Sequence, residues 1–319
     1  MPNVSIIMNC YNGAKFVRDA IESVYAQTYT DWEIIFWDNC STDATPEIAK
    51  SFDAKLRYFR GETTTPLGTA RNLAMKHAQG DWIAFLDHDD LCLPHRFERQ
   101  MAAIGGKDYA LCYAGMREVD GEGRFVRNVL PQHNSGRIFG ELLTDCDAFL
   151  QTTMVNRGYM QRYGIEAPPS FMVLEDVNLF LKLAARGPVC VLPEVVSVWR
   201  LLPTSLSETK KDRFPLEYFH LIDDLRQSYP GIDQRYPEAF RQADARGQYY
   251  QARRDMETGN IATARATMRR IAGVRRAYLA LYLLSFWPWG WNLAHGRALK
   301  ARLTNLFLGR GKAAAKDNA

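Results

Sequence analysis

Short apolar runs alternate with segments of helical periodicity through the N-terminal part of the chain, and this alternation constrains the fold more than any other feature. In residues 15–27, Val17, Ile21 and Val24 recur at the spacing that gives a helix one buried face. The expected strands are residues 4–8, 32–37, 56–59 and 81–86, and the expected helices are 15–27, 44–51 and 67–78. Strands that alternate with helices of this length predict an α/β fold with a mainly parallel sheet and flanking helices.

Three carboxylates, Asp87, Asp89 and Asp90, follow the strand at 81–86. Ligands of open α/β sheets bind outside the carboxyl ends of the strands, and carboxylates this close repel one another unless a cation or a proton relieves the repulsion. A divalent ion such as Mg²⁺ or Mn²⁺ would do so, because hard cations prefer oxygen ligands. The alternative is an acidic loop that caps the helix beginning at Pro94, and the residues alone leave both interpretations open.

Several other classes of protein are not indicated. No G-x-G-x-x-G follows the first strand and no G-x-x-x-x-G-K-[ST] occurs, which argues against the usual dinucleotide and P-loop sites. The six cysteines include no C-x-x-C pair, so neither a zinc ribbon nor a disulfide scaffold is expected, and thiols in apolar runs are typical of a reduced, cytoplasmic protein. Residues 1–3 lead directly into the first strand, so no signal peptide is expected.

Three motifs occur in order along the chain: VSIIMNCYNG, AIESVYAQTYTDWEIIFWDNCSTD and GTARNLAMKHAQGDWIAFLDHDDLCLP. Together they resemble the nucleotide-sugar domain of the family 2 inverting glycosyltransferases, which have the GT-A fold. The resemblance implies that three residues bind the donor nucleotide: Tyr11 beside the base, Asp38 as acceptor of a hydrogen bond from the base, and Arg71 near the ribose and diphosphate. Without the resemblance, the alternatives are a packed aromatic for Tyr11, a helix cap for Asp38 and a solvated helix charge for Arg71.

The resemblance also assigns roles within the acidic loop. Residues 87–89 match the D-x-D motif of the family, with Asp87 toward the ribose and Asp89 on a divalent metal, Mn²⁺ or Mg²⁺, that bridges the diphosphate. Asp90 is the extra carboxylate of this subgroup and is expected to support the other two.

A second acidic pair, Glu175 and Asp176, precedes a segment in which Val177, Phe180 and Leu181 recur at helical spacing. Periodicity alone favours a capping role, because carboxylates are stabilised at a helix N-terminus. The resemblance instead implies that Asp176 is the general base and Glu175 a supporting residue. The base would accept the proton of an acceptor hydroxyl as that oxygen attacks the anomeric carbon from the face opposite the nucleotide.

One position departs from the pattern of the family. Many relatives have a histidine two residues after an arginine in this region, whereas this chain has Arg200 followed by Leu202. Because that histidine can help to bind metal or diphosphate, its absence weakens the expectation of a tight, metal-dependent donor site. Arg200 could replace it in part through a phosphate contact, and the alternative is a surface salt bridge.

We expect two regions: a catalytic domain in residues 1–207 that binds the nucleotide sugar and the acceptor, and a helical C-terminal region in 208–319. From Arg253 onward there are thirteen Lys or Arg and three acidic residues, so the remainder of the chain is net acidic. Residues 236–257 and 261–271 predict a helical hairpin. Residues 312–319 have the composition of a disordered tail.

Residues 277–294 contain no Asp, Glu, Lys or Arg, hold three tryptophans and are flanked by basic residues. This pattern predicts an interfacial helix that docks on an anionic membrane surface through residues 275–302. A buried helix packed on the catalytic domain is the alternative, and the pattern does not separate the two.

Together with the resemblance, these features predict an inverting glycosyltransferase, a hexosyltransferase of bacterial surface-polysaccharide type. It would move a sugar from a nucleoside-diphosphate donor to a hydroxyl of a glycan or a lipid-linked glycan, in the cytoplasm or peripherally on the inner face of the plasma membrane. The competing interpretation is a catalytically silent adaptor that binds glycan or nucleotide at the membrane. Nucleic-acid binding is not expected, because the basic tail carries no recognised reading motif.

Overall fold

The computed structural model describes residues 2–295 and divides the chain into two compact units, the first ending at Phe240 and the second beginning at Arg241. Helix Phe214–Ser228 belongs to the first unit. The catalytic-domain boundary expected between residues 207 and 208 stays a prediction. The expected basic flank at 297–302 and the expected tail at 312–319 lie outside the described residues.

The first unit is built on one nine-stranded sheet. Its strands are β1 (Val4–Cys10), β2 (Trp32–Asp38), β3 (Leu56–Arg60), β4 (Trp82–Phe85), β5 (Leu91–Cys92), β6 (Leu111–Val119), β7 (Phe125–Val129), β8 (Met154–Asn156) and β9 (Val189–Arg200). Their order is β3-β2-β1-β4-β8-β6-β9-β5, with β7 paired to β6. The four strands β3, β2, β1 and β4 are parallel to one another, and β6 is parallel to β9. The α/β class expected from the alternation of elements is confirmed.

Helices cover this sheet. They are α1 (Val17–Tyr25), α2 (Thr45–Lys50), α3 (Leu67–Met75), α4 (Arg96–Ile104), α5 (Phe139–Thr144), α6 (Arg157–Tyr163), α7 (Glu175–Arg186), α8 (Leu206–Thr209), α9 (Phe214–Ser228) and α10 (Ile232–Arg235). Every residue of β1, β2 and β4 is buried, as strands of a sheet covered on both faces must be. The apolar face of α1 contributes Val17, Ile21 and Val24 to this core, and each fully buried side chain of this kind stabilises the fold by about 1.5–3 kcal/mol.

Strand β9 is longer than the sequence indicates. The apolar pattern predicts a strand only at 189–192, yet β9 continues to Arg200. The pairing with β6 shifts register on both sides of Gly115, which lets the strand pass Pro193, a residue that has no N–H to donate to a ladder. A Cβ at Gly115 would lie 2.7 Å from the Val129 carbonyl oxygen, so a glycine is required at this bulge.

The second unit is helical. Helix α11 (Pro237–Glu257) contains the division between the units, and α12 (Ile261–Ile271), α13 (Arg276–Leu284) and α14 (Pro288–His295) follow it. Its small core joins residues from all four helices: Ala245, Ala252, Ala264, Met268, Ile271, Tyr278 and Trp291. The expected hairpin of α11 and α12 is present, whereas residues 277–294 form two helices instead of one, with Pro288 beginning the second.

No helix within residues 2–295 is long and apolar enough to span a bilayer.

Candidate functional site

The carboxyl ends of β1, β2 and β4 meet at one edge of the sheet. β1 pairs in parallel with both β2 and β4, so the ends of the three strands are neighbours. Tyr11 directly follows β1, Asp38 is the last residue of β2, and Asp87 lies two residues beyond β4. Three of the residues named from the sequence therefore lie at the edge where α/β sheets bind their ligands.

Asp38 is fully buried and accepts three hydrogen bonds. Its Oδ1 accepts from the Ser41 backbone N–H at 2.7 Å, and its Oδ2 accepts from the Tyr58 hydroxyl at 2.6 Å and from Arg60 Nη1 at 2.5 Å. The Arg60 side chain is 43% exposed, so it extends from the buried carboxylate toward solvent. Asp38 thus anchors a partly exposed arginine at the end of β3.

The turns after β1 and β2 are bonded to each other. Asn12 has a φ of +53°, a conformation that asparagine tolerates. Its backbone N–H donates to Ser41 Oγ at 2.9 Å, and its side-chain Oδ1 accepts from the Thr42 N–H at 2.8 Å. These bonds hold the two turns together and leave the adjacent Tyr11 50% exposed at the edge of the site.

Gly13 lies at the closest approach between the first turn and the acidic loop. A Cβ at this position would lie 2.4 Å from Cys10 Sγ and 2.4 Å from Cδ2 of His88. Both distances are far shorter than van der Waals contact, so only glycine fits here unless the side chains of both Cys10 and His88 move. The first turn therefore limits where the acidic loop can lie.

Arg71, on α3, connects the two acidic centres predicted from the sequence. Its Nη2 donates to Asp87 Oδ1 at 2.9 Å, and its Nη1 forms an ion pair with Glu175 Oε1. Arg71 and Glu175 are both buried, which excludes the interpretation of Arg71 as a solvated helix charge. The guanidinium joins α3, the loop after β4 and the first residue of α7, and of its two partners Glu175 is buried and the Asp87 side chain is 38% exposed.

Asp176 has a different environment from its neighbour Glu175. It is half-buried, and its Oδ1 accepts from the Val177 backbone N–H at 2.7 Å. Burial raises the pKa of Asp176, and the nearby Asp87 raises it further, although the positive charge of Arg71 opposes both effects. Of the acidic pair, Glu175 is therefore engaged by Arg71, while Asp176 remains partly accessible and has a raised proton affinity.

The acidic loop itself is electrostatically unfavourable. Burial raises the pKa of Asp89 above its usual range, with a further contribution from Asp87. Burial also raises the pKa of Asp90, and the charges of Asp89 and Asp87 add to that increase. Such shifts are expected of carboxylates that repel one another in a desolvated site.

Arg200 approaches the same loop from the end of β9. Its backbone N–H donates to Asp90 Oδ1 at 2.9 Å, and its side-chain Nε donates to the Asp89 carbonyl oxygen at 3.0 Å. The guanidinium lies over the ring of Phe16 at 4.7 Å. Arg200 is thus part of the acidic centre, whereas Leu202, the position of the missing histidine, lies against the hairpin turn at Gly121.

A divalent metal would need more ligands than the side chains of the described residues provide. No group of three His, Cys, Asp or Glu side chains within residues 2–295 is arranged to hold an ion. The oxygen donors of Asp89, with Asp87 and Asp90 beside it, nevertheless fit Mg²⁺ or Mn²⁺, which are typically bound by one or two carboxylates together with substrate phosphates. The raised pKa values of Asp89 and Asp90 are also those of a site that a cation would stabilise.

Sequence reasoning did not identify several residues of this site. Tyr58 and Arg60 could have been found by the strand-end rule, because they belong to β3, which pairs with β2. Asn9 lies near the end of β1, and both polar atoms of its buried side chain lack a hydrogen-bond partner. Glu217, on α9, contacts the segment before α7, and no pattern in the sequence indicated that contact.

Replacing Asp90 by asparagine should stabilise the metal-free protein. A carboxyl whose pKa is raised by folding adds most to stability below its unfolded-state pKa, and that contribution is lost as the pH rises through the folded-state pKa. Asp90→Asn removes this loss and keeps an oxygen that can accept from Arg200. We expect a gain of about 1 kcal/mol near neutral pH, or about 2–4 °C in melting temperature.

The measurement is thermal unfolding with EDTA over a range of pH. Asp81→Asn is the matched control. Asp81 directly precedes β4, and its side chain is 85% exposed. A lower melting temperature for Asp90→Asn than for the parent protein at neutral pH would contradict the electrostatic account.

Comparison with protein families and curated sequences gives a consistent result. The family model "Glycosyl transferase family 2" matches residues 5–164. The putative glycosyltransferase EpsE of Bacillus subtilis is 31% identical over 191 residues, which are 58% of this chain and 68% of EpsE. WfgD of Escherichia coli is a UDP-Glc:alpha-D-GlcNAc-diphosphoundecaprenol beta-1,3-glucosyltransferase. It is 27% identical to this chain over 65% of this chain and 80% of WfgD. The chain spans only about a third of an uncharacterized Rickettsia felis glycosyltransferase, which it matches at 28% identity.

Solved structures resemble the whole described fold. Staphylococcus aureus TarS 1–349 in complex with UDP-GlcNAc matches with a TM-score of 0.65 and 17% identity, over 97% of this chain and 92% of TarS 1–349. The mannosyltransferase PcManGT of Pyrobaculum calidifontis, in complex with GDP-Man and Mn²⁺, matches with a TM-score of 0.62 and 18% identity, over 96% and 87% of the two chains.

Proposed function

Because this chain belongs to glycosyl transferase family 2, we propose that it is an inverting glycosyltransferase that moves a sugar from a nucleoside diphosphate to a hydroxyl of a glycan or lipid-linked glycan. The glycosyltransferase class and the GT-A fold expected from the sequence are confirmed. The surface-polysaccharide type is supported by relatives such as WfgD and the putative teichuronic acid biosynthesis glycosyltransferase TuaG.

The observation that carries the proposed mechanism is that Glu175 and Asp176, the acidic pair at the start of α7, have different surroundings. Oε1 of the buried Glu175 forms an ion pair with Arg71, whereas Asp176 remains partly accessible with a raised pKa. A carboxylate with these properties suits a general base, because proton transfer is most effective when the pKa of the base approaches the working pH. Asp176 would accept the proton of the acceptor hydroxyl as its oxygen attacks the anomeric carbon. The attack comes from the face opposite the nucleotide, and no covalent enzyme intermediate is required.

On the donor side, we propose that Tyr11 lies beside the nucleotide base. We also propose that Asp38 contributes to nucleotide binding partly by positioning Arg60. The carboxylate of Asp38 is already saturated by three donors, so Arg60 is the group of this cluster that can reach a nucleotide. Arg71 would act mainly by holding Asp87 toward the ribose, since both of its terminal nitrogens are engaged by carboxylates. Binding in a fixed geometry accounts for part of the acceleration.

Asp89 would hold a divalent metal, Mn²⁺ or Mg²⁺, with support from Asp90 and Arg200. The metal, when bound, offsets the charge that develops on the leaving nucleoside diphosphate. The Mn²⁺ bound to PcManGT supports this assignment at the level of the fold.

A lipid-linked acceptor would place the enzyme at a membrane, and the second unit has a surface suited to one. Its exposed apolar side chains are Leu279, Leu283, Phe286, Trp287 and Trp289. Residues 258–295 hold five arginines and no Asp or Glu. Apolar and aromatic side chains beside arginines favour the headgroup layer of an anionic bilayer. We therefore propose peripheral association with the inner face of the plasma membrane, and no role for nucleic acid.

Donor binding should identify the nucleotide and its metal dependence. We expect one of UDP, GDP, dTDP and CDP to bind in calorimetric titrations, and to bind more weakly after Asp89→Asn or without Mn²⁺. If no nucleotide binds under any condition, the donor site is wrongly assigned and the silent adaptor becomes the better interpretation.

Asp176→Asn should remove catalysis without removing donor binding. Loss of a general base lowers kcat by about 10²–10⁴-fold, while the Kd for the nucleotide should stay within about twofold because Asp176 is not in the donor-binding set. The rates are measured with the donor class found above and a pyrophosphate-linked glycan acceptor. Asp19→Asn is the control, because Asp19 is an exposed aspartate in the first turn of another helix. A variant with unchanged kcat would exclude Asp176 as the base.

Membrane association is tested by co-sedimentation with vesicles. The protein should sediment with vesicles that contain phosphatidylglycerol, bind pure phosphatidylcholine vesicles less, and be released in part by salt. Leu283→Glu combined with Trp287→Glu should abolish binding, whereas Phe125→Glu, at a residue that is 63% exposed in the first unit, should not. Equal sedimentation of the double variant and the parent would exclude this surface as the docking site.

A further inference from the structure

Glu217, on α9, makes an unusual set of contacts for a glutamate. Its side chain is buried, with the residue only 4% exposed. One carboxylate oxygen accepts from the backbone N–H of Met172 at 3.0 Å, and the other accepts from the N–H groups of Val173 at 2.9 Å and Leu174 at 3.1 Å. Three successive amides therefore converge on one charged side chain, and hydrogen bonds to an ionised acceptor are the stronger kind.

These amides belong to the three residues that immediately precede the acidic pair Glu175 and Asp176. Leu174 is the N-cap residue of α7, and Glu175 and Asp176 are its first two helical residues. A leucine side chain cannot accept a hydrogen bond from the first turn of a helix, and no side-chain cap is formed here. The residues that lead into α7 are therefore held by a residue from another helix, whereas inside the first turn Asp176 accepts from the Val177 N–H.

The preceding part of the same segment is held by α3. The Asn72 side chain donates to the Ala167 carbonyl oxygen at 2.8 Å and accepts from the Ala167 N–H at 3.1 Å, and the Gly68 N–H donates to the Phe171 carbonyl oxygen at 3.1 Å. A Cβ at Gly68 would lie 2.1 Å from the Pro168 carbonyl oxygen, so the contact is close. Residues 167–171 are thus held from α3, and residues 172–174 from α9.

A second acidic residue of α9 contacts α7 farther along. Asp224 accepts from the Asn178 side chain at 2.7 Å and pairs with Lys182 at 2.7 Å. This contact attaches the two helices to each other without touching the amides of residues 172–174. It therefore provides a comparison that separates general attachment of α9 from the specific contact of Glu217.

We propose that Glu217 is a positioning residue for the transfer reaction, which holds the first turn of α7 so that Asp176 faces the acceptor hydroxyl and Glu175 meets Arg71. This inference rests on the proposed function. It assigns a role in catalysis to a residue that lies beyond the family match at 5–164 and beyond the catalytic domain expected to end at residue 207. Glu217 itself does not touch the reacting atoms.

The physical reason is the geometric sensitivity of proton transfer. A general base must lie within hydrogen-bond reach of the hydroxyl that it deprotonates, and a displacement of about 1 Å from a remote change can lower the rate about 10²-fold. Without the carboxylate of Glu217, three amide donors lose their acceptor and the segment before α7 has to rearrange.

The decisive variant is Glu217→Gln, which keeps the size of the side chain, removes the charge and turns one of the two accepting atoms into a donor. We expect kcat to fall about 10–100-fold, with the Kd for the donor nucleotide within about twofold. Amide hydrogen exchange should become faster at residues 172–174 and in the first turn of α7. Glu217→Ala should give a larger effect of the same kind, and the glutamine variant decides if the alanine variant does not fold.

Two controls on the same helix separate positioning from stability. Asp223→Asn changes an exposed aspartate, whose one ion pair within the described residues is with Arg226 at 3.6 Å. This variant should leave kcat and the amide exchange at residues 172–174 unchanged. Asp224→Asn weakens the attachment of α9 to α7 and should lower the melting temperature. Its kcat should fall much less than that of Glu217→Gln, and exchange at residues 172–174 should stay slow.

Three results would overturn the inference. They are a kcat for Glu217→Gln within twofold of the parent protein, unchanged exchange at residues 172–174, and a loss of kcat no greater than that of Asp224→Asn. If the parent protein transfers no sugar from any nucleotide donor, the proposed function fails and this inference fails with it. If the parent is active and only the Glu217 result is negative, the proposed function stands.

Discussion

The buried guanidinium of Arg71 is the interaction on which the candidate site depends. It binds Asp87, from the loop after β4, and Glu175, from the start of α7. A charge at this depth is tolerated only when it is paired and hydrogen-bonded, and removing one partner leaves an uncompensated charge in the interior. The pairing therefore fixes three elements relative to one another: the helix that carries Arg71, the acidic loop and the helix that carries the candidate base.

Repulsion among the carboxylates of the acidic loop acts against the stabilisation that the Arg71 pairing provides. Burial and mutual repulsion raise the pKa values of Asp89 and Asp90, so the loop is held in place against its own electrostatics. Several contacts hold it. Arg200 donates to the loop from β9, and the fully buried Arg96 donates to the Phe85 carbonyl oxygen at the end of β4 at 3.1 Å. Functional sites commonly retain such unfavourable charge, because a ligand or cation relieves it on binding.

The second unit follows a different physical principle. Its core is small and consists of three alanines, one methionine, one isoleucine and two aromatic residues. Several large apolar side chains of α13 and α14 remain exposed, and Trp289 is 71% exposed. Exposed aromatic and aliphatic side chains beside arginines, in a stretch without acidic residues, have the composition of an interaction surface. The proposed partner, an anionic bilayer surface, would match both the positive charge and the exposed apolar area.

The sequence by itself determined the α/β class, the first strands and helices, and the positions of Tyr11, Asp38 and Asp87 at neighbouring strand ends. These follow from local periodicity and from the rule that parallel strands place their carboxyl ends at one edge. It also singled out Asp89, Asp90, Glu175, Asp176 and Arg200, whose proposed roles rest on a family resemblance.

Only the tertiary structure decided which groups these residues contact. Arg71 pairs with two carboxylates where a phosphate contact was expected, Asp38 is saturated by Tyr58 and Arg60, and Glu217 holds the entry to α7 from a distant helix. Periodicity reports which face of an element is buried, but it does not report which remote side chain meets that face. Such contacts join residues far apart in the chain, and they depend on how the helices pack on the sheet.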